Sequence, residues 1–442
     1  MKKAYITLAL VFTAFACATQ ARAQQPATTE VSPASAERVA AIQNALREAK
    51  LDGWLFYDFR KSDPLAYRIL RLDERGITTR RWFYFVPVVG EPVKIVHSIE
   101  RYKLDALPGR KVIYRRWQEL HAAVRSALTG GGLQSRRVLL RHIAMQYSPQ
   151  NDIPYVSRVD GGTIELVRSF PGIDLITSAD LVQQFEAVWT PAQRDMHIEA
   201  ADKLHRIIME SFADIARRIR AGEPVTEYDI QQFMMRRFDE ENLTSDNDPP
   251  NVSVGANSAN PHYQPDSKIF SPIRRGDFVL FDVWAKLKKP GAVYADQTWT
   301  GYVGETVPAE YTRIFNIVRD ARDAATDFVR AATRDGKVIR GAQVDDAARG
   351  IIERAGFGEQ FTHRTGHSIG EEVHGNGAHI DNLETRDSRR IIARTCFSIE
   401  PGIYLEGKFG VRSEINVYVA EKDIEVTGGT VQTEVVAILK NQ

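Results

Sequence analysis

The sequence predicts an α+β protein of two units, an α/β unit followed by a larger one in which helices come first and strands after. Three observations predict it. The chain has 442 residues, enough for two or three domains of about 150 residues. Between 35 and 190, helical and strand patterns alternate, as they do in α/β folds. From 191 onward two long amphipathic helices precede a run of short strands bounded by turn signals. Composition agrees: 43% hydrophobic and 26% charged residues suit a core-forming chain. Lys+Arg at 58 against Asp+Glu at 57, net +1, removes any electrostatic case for nucleic acid as a partner. Two cysteines, Cys17 and Cys396, exclude a disulfide framework and a thiolate zinc site, so the chemistry must rest on oxygen and nitrogen.

Residues 1–23 read as a secretory signal peptide. Lys2 and Lys3 precede an apolar run from Ala4 to Ala18, and Ala21-Arg22-Ala23 supplies the cleavage site. The run is shorter than the ~20 residues that span a bilayer, so no stable membrane span is expected. Ala14 stands where lipid-attached cysteine signals carry leucine, which argues against a lipid anchor. The expectation is a periplasmic or secreted protein. Cleavage after Ala23 removes Lys2, Lys3 and Arg22, taking the charge from +1 to −2, and leaves Cys396 as the lone thiol. Residues 24–34, polar and rich in Pro, Thr and Ser, read as a linker.

The first unit spans 35–190. Val39, Ile42 and Leu46 recur at helical spacing over 35–49, and Trp54 to Tyr57 reads as a strand. Trp82 to Pro87, the Gly90-Glu91 turn and Val93 to Val96 read as a hairpin. Further strands are expected at 110–117, 137–140 and 162–167, and helices at 118–128 and 178–189. The second unit, 191–442, opens on Thr190-Pro191, a threonine cap with proline in the first turn. Helices follow at 191–220 and 226–240, split by Ala221-Gly222-Glu223-Pro224. Strands dominate from Asn251, interrupted by one or two helices between Ala309 and Ala355.

Chemistry concentrates in this second unit. The apolar strand that starts at Gly276 ends on Asp282, and an unpaired acid at the end of a buried strand costs several kcal/mol. Asp296 follows fourteen residues later, and a period of two puts Asp296, Thr298 and Thr300 on one face and Gln297 and Trp299 on the other. A hairpin through the loop from Lys286 to Gly291 would set the two aspartates side by side, where they repel unless a cation lies between them. His363, His367 and His374 fall within twelve residues, and Gly366 and Gly370 between them argue against a regular helix. Glu400 sits where Pro401-Gly402 halts a strand. Alternation from Gly410 to Val419 places Arg412, Glu414, Asn416 and Tyr418 on one face. Taken singly, each acid also reads as a solvated strand-end or salt-bridged residue. Taken together, Asp282, Asp296, His367, Glu400 and Glu414 carry −4, which two divalent ions neutralise. An oxygen-rich set without thiolate favours Mn²⁺, with Co²⁺ or Zn²⁺ as substitutes.

The order Asp, Asp, His, Glu, Glu resembles the pita-bread metallopeptidases, the group of methionine aminopeptidase, aminopeptidase P, prolidase and creatinase. With its N-terminal α/β unit the chain is most similar to the Xaa-Pro branch over 35–442. Asn257-Ser258-Ala259-Asn260-Pro261-His262-Tyr263 matches the family's histidine motif, and Ser398-Ile399-Glu400-Pro401-Gly402 is a close match as well. The resemblance implies a creatinase-like N-terminal domain (35–190), a pita-bread catalytic domain (191–442) and two divalent ions. Asp282 would chelate one ion, Asp296 and Glu414 would bridge, and His367 and Glu400 would hold the other. Glu400 would also accept a proton from the attacking water. His262 and His374 would hydrogen-bond the scissile amide and its tetrahedral intermediate, and His363 would line the proline pocket. Arg412 would sit at the site's edge, pairing with a ligand or a substrate carboxylate, and Thr298 would touch a bound water.

The implied activity is hydrolysis of the bond before proline in Xaa-Pro dipeptides. The alternatives are an Xaa-Pro aminopeptidase acting on longer peptides and a non-catalytic peptide-binding protein on the same scaffold. Short proline-containing peptides are the implied partners. A homodimer is typical of relatives, and the aromatic strand 82–85 is compatible with one. The chain departs from the family in its long Lys-rich loop, in Trp299 where relatives carry arginine, and in Ile415 where an acid is usual. His97, His121, His142, His197, His205 and His379 have no partners at ligand spacing and read as surface or structural groups. Cys396 reads as a small packed residue, and Arg80-Arg81 as a solvated approach to a strand.

Overall fold

The computed structural model of the protein describes residues 32–73, 75–130 and 140–440. The segment 1–23 read as a signal, most of the stretch 24–34 read as a linker and nearly all of the strand expected at 137–140 lie outside the described residues. Helix α1 (Pro33–Ala49) starts on Ser32, whose side chain accepts from the amide of Ser35. Pro33 and Ala34, read as the end of the linker, therefore form its first turn.

The first sheet holds β1 (Gly53–Asp58), β2 (Trp82–Pro87), β3 (Val93–His97), β4 (Arg110–Tyr114), β5 (Arg141–Met145) and β6 (Ile173–Thr177), in the order β4-β3-β2-β1-β5-β6. Its helices are α1, α2 (Pro64–Leu70), α3 (Trp117–Thr129), α4 (Gly161–Arg168) and α5 (Ala179–Glu186). Trp54, Phe56, Trp82 and Tyr84 pack on one face with α1, α2 and α5. Leu55, Tyr57, Phe83 and Phe85 pack on the other with α3 and α4. Both faces are covered, so these strands are unbroken apolar runs rather than alternating ones. The aromatic strand 82–85 is thus interior, not a surface that meets a second subunit.

The strand expected at 162–167 is instead helix α4. Asp160 caps it by accepting from the amide of Thr163 at 2.8 Å, and the buried Ile164 and Val167 lie one helical turn apart. A short apolar run fits either period, and here the cap decides.

In the second unit, α6 (Pro191–Ala221) and α7 (Glu227–Glu240) cover a sheet of β7 (Leu243–Thr244), β8 (Asn251–Val254), β9 (Phe278–Leu287), β10 (Ala295–Tyr302) and a late strand, Val436–Ala437. Two further helices, α8 (Ala309–Arg334) and α9 (Gly341–Arg354), pack on the remaining strands. These are β11 (Ser368–Ile369), β12 (Cys396–Ile399), β15 (Ile415–Val419) and β16 (Ile424–Thr427) in one sheet, and the hairpin β13 (Gly402–Leu405) with β14 (Phe409–Arg412). Each helix pair backs its own β-structure, and the halves meet where β10 runs beside β15. There the Asn416 side chain brackets Asp296, donating to its carbonyl at 2.6 Å and accepting from its amide at 2.9 Å.

Two register details differ from expectation. Asp282 lies opposite Thr298, and Asp296 opposite Trp284, so the aspartates are diagonal neighbours on one face rather than a direct pair. Residues 410–419 are two strands in different sheets, broken at Ser413 and Glu414. Arg322 donates to the Ser413 hydroxyl at 2.7 Å and the Glu414 amide to the Thr298 carbonyl at 3.3 Å, which draws the chain off the alternating path. Cys396 is buried, as expected.

His197 is structural. One ring nitrogen donates to the Tyr294 carbonyl at 2.7 Å, and the other accepts from the Thr427 hydroxyl at 2.6 Å, joining α6, the residue before β10, and β16. Burial pushes its pKa down to about 4. The folded protein holds it neutral while the unfolded chain protonates near pH 6.5. Its contribution of about 3 kcal/mol is therefore present above pH 6.5 and lost as pH falls toward 4. Between pH 7 and 4.5 the wild type is expected to lose more stability than His197→Gln, read as the difference in urea midpoints. Equal losses would show that His197 is not the titrating group.

Candidate metal centre

The strand alternation places the site. Asp282 on β9 and Asp296 and Thr298 on β10 face one way, while Gln297 and Trp299 face α6, Gln297 donating to the Ala201 carbonyl at 2.9 Å and Trp299 lying on His205. The Trp299 departure is thus on the far side of the sheet. His367 precedes β11, Glu400 follows β12, and Glu414 occupies the break between β14 and β15. The five residues come from segments 282–414 of the chain and converge.

Asp296, His367 and Glu414 each offer a ligand atom within 4.8 Å of the others, and all three are buried. Glu400 Oε1 lies 3.3 Å from His367 Nε2, and Asp296 Oδ2 lies 3.6 Å from it. Asp282 is turned onto Arg412, which pairs with its carboxylate. The Thr298 hydroxyl lies 3.0 Å from Asp282 and 2.8 Å from Glu414, and it accepts from Arg412 Nε at 2.9 Å. Arg412 is 5% exposed, so it forms the floor of the site rather than its edge. Its charge faces protein carboxylates, which makes it a brace for Asp282, and it also lines the cavity.

The electrostatics are those of a site short of positive charge. Burial and then the neighbouring Asp282 and Glu400 push the Asp296 carboxyl well above the usual range. Burial and then Asp296 do the same to Glu414. Glu400 differs: burial raises it, but His367 and Arg412 outweigh that and hold it below its ordinary value. Asp296 Oδ1 and Glu414 Oε1 are buried without a hydrogen-bond partner among the described residues. Buried lone pairs left open cost free energy unless something accepts them. Two orphaned carboxylate oxygens, an imidazole nitrogen and no thiolate fit a hard divalent cation.

The accessory histidines line the same cavity of about 710 Å³. His262 and His374 are exposed on its wall, and His374 stands edge-on to His367 with ring centroids 4.4 Å apart. The neighbouring His367 and then burial pull His374 down to about 3, so it is neutral at physiological pH. His363 is fixed at both nitrogens, by the Arg364 carbonyl at 2.6 Å and the Tyr404 hydroxyl at 2.7 Å. The loop lysines lie elsewhere: Lys288 pairs with Asp239 and Lys289 with Glu199, while Lys286 bonds Asp246 and the Glu371 carbonyl. His379, read as bland, is buried beside the site, with Nδ1 accepting from the Ser368 amide at 3.0 Å. A larger cavity, about 900 Å³, opens at the end of the first sheet, where Arg80 and Arg81 line it, and contains none of these residues.

Sequence reasoning missed three contributors. Ser398 bonds Glu400 Oε1 at 3.0 Å and accepts from the His367 amide at 2.9 Å, Tyr404 holds His363, and Arg364 reaches Tyr155 in the first unit. Ser398 sits two residues before Glu400, a spacing that signals a shared strand face. Tyr404 and Arg364 carry no such signal.

Fold and donor set together define an α+β protein with an oxygen-rich site for divalent metal. Residues 197–421, just over half the chain, match the sequence profile of metallopeptidase family M24, and the chain belongs to that family. It is 37% identical to the Xaa-Pro dipeptidase of Lactobacillus delbrueckii subsp. lactis over 164 residues, 37% of this chain and 40% of that protein. The Xaa-Pro dipeptidase of Lactobacillus helveticus is 34% identical over 163 residues, again 37% and 40%. The matched stretch thus spans under half the length of these relatives. Among solved structures, dipeptidase PepE of Mycobacterium ulcerans superposes with a TM-score of 0.61 at 23% identity, covering 91% of this chain and 98% of that one. An X-prolyl aminopeptidase from Caenorhabditis elegans, described as having a di-nuclear active site, gives 0.55 at 17% identity over 90% and 63%. The fold is that of the pita-bread proteins, with an N-terminal α/β unit. Among the described residues, no helix is long and apolar enough to cross a membrane.

Chelated protein should bind divalent ions and gain thermal stability, about 2.7 kcal/mol at a hundredfold excess over Kd. Glu414→Gln should weaken binding about tenfold or more by calorimetry. An unchanged isotherm would remove Glu414 from the centre.

Proposed function

We propose that the protein is a dinuclear-metal peptidase that hydrolyses the peptide bond before proline, with Xaa-Pro dipeptides as preferred substrates and Mn²⁺ as native ion. The observation that carries this reading is the pair of orphaned oxygens on Asp296 and Glu414, within ligand distance of His367 and beside Glu400. Asp282, Asp296, His367, Glu400 and Glu414 would hold the ions, Asp296 and Glu414 as the ligands both ions would share. When bound, the ions supply Lewis acidity at the scissile carbonyl and a nucleophile at neutral pH.

The chain's own groups do the rest. Glu400 is kept ionised by His367 and Arg412 and oriented by Ser398, so it is the group placed to accept a proton. His374, held neutral, and His262, both on the cavity wall, would offer their imidazoles to the amide as charge develops on its oxygen and leaving nitrogen. His363, held by the Tyr404 hydroxyl, lines the cavity with a fixed ring against which a proline ring would pack. Arg412 positions Asp282 and Thr298. Relative rates on dipeptide and tripeptide decide the length preference. The reading extends to an exported homodimer; a mature N-terminus at Gln24 and the mass in solution test those two parts.

After chelation and Mn²⁺ reloading, Ala-Pro and Gly-Pro should be hydrolysed with two ions bound per chain. His374→Ala should lower kcat about a hundredfold with metal content unchanged. Absence of turnover with Mn²⁺, Co²⁺ and Zn²⁺ alike would overturn the proposal.

A further inference from the structure

One end of the first sheet gathers positive charge that its own acids do not answer. β1, β3, β4 and β5 point the same way and β2 runs against them. Phe59 and Arg60 after β1, His97 on β3, Arg115 after β4, and Arg80 and Arg81 before β2 therefore come to one end. They line the cavity of about 900 Å³ that lies apart from the metal centre. In open α/β sheets small ligands collect outside the carboxyl ends of the strands, where the strand order turns back. Here that turn falls between β1 and β5. The volume is that of a pocket for a small organic molecule.

Four guanidiniums, of Arg60, Arg80, Arg81 and Arg115, share this cavity with one carboxylate, Asp160. Asp160 is spent on the cap of α4, accepting from the amide and the hydroxyl of Thr163, both at 2.8 Å. The neighbouring acids are spent in the same way. Glu100 accepts from the amides of Thr79 and Arg80 at 2.8 and 3.3 Å, and Glu119 from those of Arg115 and Arg116 at 2.8 and 3.2 Å. Among the described residues no carboxylate lies within ion-pair distance of these four guanidiniums, whereas Arg68 of the same unit is paired with Glu186. Aromatic surface stands open beside them. Trp117, at the start of α3, is 60% exposed and edge-on to His121 with centroids 5.1 Å apart. Phe59 is 40% exposed, with the Arg60 guanidinium over its ring at 5.4 Å.

A single carboxylate satisfies one guanidinium fork, but phosphate groups offer oxygens to several. An open indole face stacks a flat ring. We propose that this cavity is a second ligand site, for a nucleoside phosphate, its phosphates held by Arg80, Arg81 and Arg115 and its base stacked on Trp117. The site is built from the first unit alone and depends neither on the metal centre nor on the peptidase reading.

Calorimetric titration of the full-length protein with ADP, adenosine and pyrophosphate in magnesium buffer tests it. ADP should bind more tightly than either of its parts, and its affinity should fall as salt rises. Joint replacement Arg80→Gln and Arg115→Gln, both exposed side chains, should weaken ADP about 10- to 100-fold with the urea midpoint unchanged. Trp117→Ala should weaken ADP about tenfold and leave pyrophosphate binding as it was. Pyrophosphate bound as tightly as ADP would reduce the cavity to a bare anion trap and overturn the proposal. So would no binding of ADP, or tight binding of a hexaglutamate peptide in its place. ADP affinity that survives the arginine replacements but is lost in Glu414→Gln would put the nucleotide on the metal centre, which overturns it as well.

Discussion

The structure depends on one constraint: four carboxylates must be kept out of water within a few ångströms of each other. Arg412 opposes them from the floor of the site, and it is paired with Asp282. Each remaining charge raises the cost of its neighbours, which is why Asp296 and Glu414 are both pushed toward the protonated form. An arrangement this unfavourable persists only on a scaffold that cannot relax away from it. Every acid is mounted on a strand or at a strand end, each strand pair is backed by helices, and Asn416 clamps β10 to β15 at Asp296 itself. The core supplies the rigidity, and the missing positive charge defines what the site is for.

Much of this was legible because it is local. The period of two along β10 placed Asp296 and Thr298 together and sent Gln297 and Trp299 to α6, and the structure follows it residue by residue. The continuous apolar runs of β1 and β2 signalled a sheet covered on both faces. Failures occurred where long-range contacts override a local pattern. The break at Ser413 and Glu414 is made by Arg322 and by Thr298, over a hundred residues distant in the second case, and alternation alone cannot announce it. Helix α4 is eight residues long, too short for period to outweigh β-branched composition, and only the Asp160 cap settles it. Arg412 was visible as a charge near the ligands, but whether it lay at the edge or on the floor depended on the packing of β14 beneath Asp282.

The first unit is tied to the loop that carries the histidines. Asp180 accepts from Arg390 at 3.1 Å, Gln183 donates to the Arg390 carbonyl at 2.9 Å, and Glu186 accepts from Asn376 at 3.2 Å. These contacts fall on residues 376–390, just past His374, and Tyr155 reaches Arg364 just before His367. The irregular segment that Gly366 and Gly370 permit is thus held from outside at both ends. Gly366 has no room for a side chain, since a Cβ there would lie 1.9 Å from the Ser398 carbonyl oxygen. Glycine lets the loop lie against β12, and the first unit fixes where its imidazoles point.

One physical cause, loss of water, acts in opposite senses on the two kinds of group and sorts them into roles. Desolvation disfavours charge, so it lowers the proton affinity of His363 and His367 and raises that of Asp296 and Glu414, while His374 is lowered first by its neighbour His367 and then by burial. Neutral imidazoles are ligands and hydrogen-bond partners; protonated ones are neither to a cation. Carboxylates poised toward protonation are the ones a divalent ion relieves most, because it replaces the proton with greater charge. Glu400 escapes the trend, since His367, Arg412 and His363 surround it and its Oε1 is held by Ser398. Its carboxyl is held below its ordinary value while those of Asp296 and Glu414 are pushed above theirs. A site built this way separates the carboxylates that need a cation from the one already stable without it, and that second kind is what a proton acceptor has to be.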